Sequence, residues 1–360
     1  MSMYWRPVHV KKEFSTVAGE WYPAIEYPYP KVYHRFINEP TFEIIYPELI
    51  NATSVEDIER LIENAGEDEV VKIKLKADIT DAETIVIASG KDVVLELNGF
   101  TISAAEDTET EGAHVYAIEN AGTLSIVGPG TIEGRGVSNT GNLEINKNPE
   151  IKCIDVDGGA AIWNEGTVIV NNGTFKATEA GDPSDEAGPG CLNNSGVCTI
   201  NGGQFISVNT RTYAVISSED ITVNDAVVTG AHGGLSVEEG VAVINGGTFT
   251  GTNYYGMLIC NDVNGQEDPE LPDVLITGGT FVGNEYSVWI GDDATANVKA
   301  SIKIDEADFT SPVKQQKLVE EGAGIVAYPE TEYEFVDQED ETKELVKKET
   351  DSDEPITPGE

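Results

Sequence analysis

From about residue 87 onward, apolar and polar positions alternate in a phrase that returns along the chain, apolar-x-Asn-x-Gly-x-apolar-x-apolar, followed by a corner of the type Asn-Gly-Gly-Thr-Phe. In Ile118–Ile126 the first two apolar anchors, Ile118 and Leu124, stand six residues apart; the offset recurs at Val137/Leu143, Ile162/Val168, Leu192/Cys198, Val215/Ile221 and Leu235/Val241. Phrases begin at Ile87, Ile118, Val137, Ile162, Leu192, Val215, Leu235, Leu258 and Val288, separated by 19 to 31 residues, the length of one coil in a stacked architecture. A second anchor closes each unit, as in Asn98–Ile102, Gly128–Ile132, Asn171–Phe175, Asn201–Phe205, Asn245–Phe249 and Thr277–Phe281. Period-two alternation predicts short strands. Asn and Gly at the corners suggest left-handed backbone there. No helical stretch links the strands, which argues against a doubly wound sheet, and the strands are too short for the hairpins of a sandwich. The pattern therefore predicts an all-β, single-stranded parallel β-helix, a solenoid of eight or nine coils about 40 Å long.

Stacking also gives the polar residues of the phrase a role. Asn120, Asn139, Asn164, Asn194 and Ser217 hold equivalent positions, where side chains of successive coils can hydrogen-bond as a ladder.

The first fifty residues carry none of this periodicity. They hold 11 of the 27 aromatic residues and 6 of the 16 prolines, with five basic and six acidic residues. Segments such as Trp21–Pro30 cannot form a helix, because each proline fixes its own backbone and biases the preceding residue toward an extended form. Residues 1–50 read either as a strap packed along the rod's own flank or, the preferred reading, as an extended arm that docks on another protein through Tyr4, Trp5, Arg6, Phe14, Trp21, Tyr22, Tyr27, Tyr29 and Tyr33, residue types that anchor interfaces. Residues 51–66 follow with Thr53 and Glu56 in a capping-box spacing and Val55, Ile58, Leu61 and Ile62 on one helical face. They predict a short helix capping the first coil of a rod over residues 67–310. Residues 311–360 are read as closing strands and an acidic tail, with 13 acids against 3 lysines after residue 329.

The opening Val93–Ile102 and the repeated Asn-Gly-Gly-Thr-Phe corners resemble the right-handed parallel β-helix superfamily, the pectate-lyase-like folds, over about residues 67–310. The resemblance implies a right-handed coil. It is specific for fold rather than activity, since the superfamily includes polysaccharide lyases, hydrolases, adhesins and bacteriophage fibre and tailspike proteins.

Composition narrows the partners. With 64 acidic and 22 basic residues the net charge is −42, so nucleic acid, anionic membranes and polyanionic substrates such as pectin are disfavoured. Cys153, Cys191, Cys198 and Cys260 have no metal spacing and read as small apolar residues in or beside strands; no cofactor is implied. The N-terminal segment Met1–Val10 lacks the apolar region of a signal peptide, which fits release by cell lysis, and no apolar run predicts a membrane span.

For catalysis the rod offers Asp155, Asp157, Glu219, Asp220, Asp225, Glu238 and Glu239 as acids, and Arg135, Lys152, Lys176 and Arg211 as cations. The paired-Asp, Gly-His-Gly and Arg-x-Lys signatures of β-helix galacturonases are missing; Ala231–Gly234, with His232, comes nearest. The start of segment 261–273 is reminiscent of a calcium loop but lacks the twelfth-position Glu and reads as a solvated bulge. Tyr254, Tyr255 and Tyr286, with Trp289, form a candidate aromatic platform for glycans. Two functions follow. The first, resembling phage head-fibre or capsid-decoration proteins, is a non-enzymatic virion structural protein on the outer surface of the particle, attached to the capsid by its arm and open to trimer formation. The alternative is a β-helix carbohydrate-active enzyme or a cell-surface adhesin binding a host-surface glycan.

Overall fold

The computed structural model describes residues 21–25, 32–38, 41–45 and 49–348, without 67–68, 109–113, 156–157, 180–188, 261–271, 292–300, 317–322 and 341. Over residues 49–327 the chain is a parallel β-helix in which three strands per coil build three long sheets. The first sheet runs from Ile85–Ile87 through ten parallel strands to Val313–Gln315. The second stacks twelve parallel strands from Leu49–Ala52 to Gly324–Ala327, and the third ten from Ile79–Ala82 to Asp308–Phe309. At roughly 4.8 Å per rung, the twelve-stranded sheet is about 50 Å long. The rod exceeds the sequence expectation because its end coils keep the inward alternation but lose the Asn-x-Gly phrase.

Register gives each inward position its own column. In the third sheet Ile102, Ile132, Ile151, Phe175, Phe205, Val228, Phe249, Phe281 and Phe309 lie one above another. Phe175 stacks on Phe205 at 4.6 Å between ring centroids, and Phe249 on Phe281 at 5.1 Å, with all four rings fully buried. The second sheet supplies aliphatic columns such as Leu124, Leu143, Val168, Cys198 and Ile221. The next residue in that column is Ala242, not Val241: Ile221 pairs with Ala242, and Val241 is turned to solvent. One extra residue in the preceding corner, absorbed at Gly240 with φ +73°, shifts the offset from six to seven. The first and eighth phrases are likewise displaced, since Ile118 pairs with Ile85 and Leu235 with Met257.

The polar positions form the expected ladder, and it is buried. Asn120 Nδ2 donates to Asn139 Oδ1, Asn139 to Asn164 and Asn164 to Asn194, each at 2.7 Å; Asn194 donates to Ser217 Oγ at 2.9 Å. Ser217 ends the row by donating to the Glu219 carbonyl at 2.7 Å. A second ladder, not anticipated from the sequence, joins the corner asparagines with opposite polarity. Here Asn171 donates back to Asn146, Asn201 to Asn171, Asn224 to Asn201 and Asn245 to Asn224, at 2.8–2.9 Å.

The glycine of the Asn-x-Gly phrase has a different reason from those of the corners. None of the buried ladder asparagines has positive φ, and neither do Gly122, Gly141, Gly166 and Gly196. These glycines are required by close approach. A Cβ on Gly166 would lie 2.2 Å from the Gly141 carbonyl oxygen of the coil below, and one on Gly196 would lie 2.2 Å from that of Gly166. Left-handed backbone is found at the corners, as expected, on the second glycine of Asn-Gly-Gly, as at Gly203 with φ +122°.

Both ends of the rod are covered. Val55–Asn64 forms an α-helix whose Val55, Ile58 and Ile62 are buried against Leu49–Ala52, Val70–Leu75 and Ile85–Ile87. Its N-cap is Ser54, one residue later than the Thr53 of the expected box. Ser54 Oγ accepts from Asp57 N at 3.2 Å, and Asp57 accepts from both the backbone and the hydroxyl of Thr53. Ser54→Ala is expected to cost about 1 kcal/mol, read as a lower thermal midpoint with an unchanged β-sheet spectrum. The strand Leu49–Ala52 comes before this helix and pairs in parallel with Val70–Leu75, so the rod begins ahead of its cap. At the other end Lys343–Lys347 folds antiparallel onto Val313–Gln315 and carries Tyr333–Asp337, replacing continued parallel stacking with a hairpin. Tyr333 donates to the Ala307 carbonyl at 3.0 Å and meets Phe309 edge-on.

In the N-terminal region the expected extended arm is extended locally but paired. Trp21–Ile25, Val32–Asn38 and Thr41–Ile45 form a three-stranded antiparallel sheet that shares no strand with the rod's sheets. Tyr4, Trp5, Arg6, Phe14, Tyr27 and Tyr29 lie outside the described residues, while Trp21, Tyr22 and Tyr33 lie on the first two strands. Among the described residues no helix is long and apolar enough to cross a membrane.

Candidate functional sites on the first sheet

Most strands of the first sheet from Ala160 onward follow one five-residue rule: the third and fifth residues point into the core, and the fourth points out. The row in register with this fourth position runs Ser138, Trp163, Asn193, Ile216, Ser236, Leu258, Trp289, Lys314, with Ser236 alone of these buried. Two groups of side chains gather along it.

The first group surrounds a cleft of about 370 Å³ lined by Tyr116, Arg135, Trp163, Asn193, Thr212 and Ile216, with Leu192 and the backbone of Gly158, Gly159 and Gly190. Arg135 is held by Asp155, whose carboxylate is 0% exposed and also accepts from the backbone of His114. Burial works against the guanidinium charge, but its bond to Asp155 prevails and lifts its pKa above the ordinary value. The Trp163 indole N–H donates to Glu165 at 3.1 Å. Burial raises the Tyr116 pKa, so its hydroxyl stays protonated. Among the described residues the Tyr116 hydroxyl, the Asn193 amide and the Thr212 hydroxyl make no hydrogen bond to protein, and Thr212 is only 8% exposed. These residues were not singled out as a site from the sequence. Their signal was their outward position on consecutive coils, legible only once the register is known.

The second group contains the expected glycan residues. Tyr254, Tyr255, Tyr286 and Trp289 do come together. Tyr255 and Trp289 lie 5.9 Å apart with planes 22° from parallel, and Tyr286 and Trp289 are 6.0 Å apart at 30°. Tyr254 touches His232 at 4.6 Å, and His232 in turn meets Tyr213. Lys314 Nζ sits over both the Tyr286 and Trp289 rings, at 5.1 and 5.5 Å, and pairs with Asp340 of the C-terminal hairpin at 3.0 Å. These distances are those of offset-stacked rings with a cation closing one end. The cluster fastens the hairpin to the rod.

The acids considered for catalysis lie apart, save Glu219, Asp220, Glu238 and Glu239, which share one corner of two successive coils. Asp155 is occupied by Arg135, Glu219 and Asp220 are exposed at a corner with Asp220 accepting from Val241 N, and Glu238 accepts from Ser218. Asp225 is exposed at another corner, and Asp157 and the segment 261–271 lie outside the described residues. His232, the nearest match to a catalytic histidine, is wedged between tyrosines with Nδ1 against the Thr210 carbonyl, and burial lowers its pKa. Lys152 and Lys176 pair with Glu150 on the third sheet. Burial pushes the Cys153 and Cys191 thiols up to about 12 and raises that of Cys198, leaving them unreactive packing groups. Compared with family models, curated proteins and solved structures, the chain matches none.

Proposed function

We propose that the chain is a non-enzymatic structural protein of a bacteriophage particle, a head fibre or capsid-decoration protein that displays its rod on the outer surface. The observation that supports this most is the division of the chain into two β systems with different rules. The N-terminal strands pair in an antiparallel sheet of their own, Tyr22 in register with His34, His34 with Ile44 and Phe36 with Phe42, while the rod stacks its strands in parallel. A three-stranded sheet that shares no strand with the rod needs a further surface to be stable. A shell protein meets that need. The rod contributes length and charge, and at −42 overall it keeps neighbouring copies apart once displayed.

Lysine-reactive cross-linking of intact particles tests this. The account expects links to the major shell protein from Lys11, Lys12 and Lys31, and none from rod lysines such as Lys152, Lys176 and Lys303. Links to the shell confined to the rod, or particles that do not contain the chain, would sink the proposal.

A further inference from the structure

The cleft at Tyr116, Arg135, Trp163, Asn193 and Thr212 has a composition that the rod's own stability does not explain. A solenoid face stabilised only by stacking satisfies its polar groups along the coils, as both asparagine ladders do. Here three hydrogen-bonding side chains converge without protein partners among the described residues, and one of them, Thr212, is about nine-tenths buried. Their polar atoms stay accessible from the cleft, so a ligand or water that enters it can bond them. Glycines at 158, 159 and 190 line the floor, and among the described residues a Cβ on Gly159 or Gly190 would meet its nearest neighbour only at 3.5 or 3.6 Å. The volume falls at the lower end of ordinary small-ligand sites.

We propose that this cleft binds a neutral pyranose unit of a glycan, with the Trp163 ring packed on the sugar's C–H face and Tyr116, Asn193 and Thr212 hydrogen-bonding its hydroxyls. The ligand class follows from the lining. One indole beside several neutral donors and acceptors matches a ring with an apolar face and a polar rim, and a wholly apolar ligand would strand the three polar groups. An acidic sugar is disfavoured twice. The protein carries a net charge of −42, and Arg135, the one cation of the cleft among the described residues, is already compensated by Asp155. Asp155 thereby acts as a positioning residue, holding the guanidinium against the cleft wall.

The full-length protein is applied to an array of neutral oligosaccharides built from glucose, galactose, mannose and N-acetylhexosamine, beside uronic-acid and sialylated counterparts, and the best neutral binder is titrated calorimetrically. Binding is expected for neutral glycans only. It should weaken about ten-fold or more in both Trp163→Ala and Asn193→Ala, each with the wild-type thermal midpoint within a few degrees, and stay unchanged in Tyr286→Ala. If Trp163→Ala proves unstable, Asn193→Ala decides by itself, since its half-buried side chain has no hydrogen-bond partner among the described residues. The proposal is overturned by no neutral glycan binding at millimolar concentration, by preference for the acidic glycans, or by loss on Tyr286→Ala with retention in Asn193→Ala.

Discussion

Phe205→Ala is expected to lower the stability of the rod by about 3–5 kcal/mol. Phe205 is fully buried, stacked 4.6 Å from Phe175 on one side and in register with the smaller Val228 on the other. The cavity left by the ring cannot close by moving the coils together, because main-chain hydrogen bonds such as Gln204 N to Gly173 O at 2.9 Å and Val227 N to Gly203 O at 2.9 Å fix their spacing. Both the lost transfer energy and the cavity cost therefore persist. Val227, one residue from the same column but 47% exposed, provides the contrast, and Val227→Ala should stay within about 0.5 kcal/mol. Denaturant titration of both variants, followed by circular dichroism, checks the difference. Equal midpoints would mean that the aromatic column does not form the core.

Asn164→Ala is expected to cost about 3 kcal/mol, because it breaks two consecutive rungs inside the molecule. Asn139 loses its 2.7 Å acceptor, and Asn194 Oδ1 keeps only a 3.4 Å contact from Gly196 N. No solvent replaces them, since Asn139, Asn164 and Asn194 are all 0% exposed. Asn201→Ala makes the comparison sharper. It breaks two rungs of equal length in the second ladder, which lies at the surface, where water takes over the freed groups. Its cost should be about 1 kcal/mol or less. Thermal melts that rank Asn201→Ala at or above Asn164→Ala would show that burial is not what gives the ladders their value.

The same contrast explains what the sequence made legible. Stacking forces inward residues and ladder asparagines to repeat, so the parallel β-helix, the Phe column and the buried ladder were all readable from spacing. The role of the glycine in Asn-x-Gly was not, because close approach between coils and positive φ select the same residue, and only the coordinates separate Gly166 from Gly203. The Leu235/Val241 anchor failed because a one-residue insertion beside Gly240 preserves the apolar composition while turning Val241 outward. The N-terminal strands escaped notice because proline-rich spacing shows extended backbone but carries no signal of which segments pair. The Trp163 cleft draws its lining from five successive coils spread over about a hundred residues, from Tyr116 to Ile216, where no local motif can register it.

Removing residues 1–48 tests the central claim, that a self-contained rod is attached through its N-terminal segment. The truncated chain should keep the β-sheet spectrum and thermal midpoint of the full protein, since the first rod strand begins at Leu49. It should also fail to co-sediment with particles that lack the native protein, while the full chain binds them. A truncated rod that still decorates particles, or one that no longer folds, would contradict it.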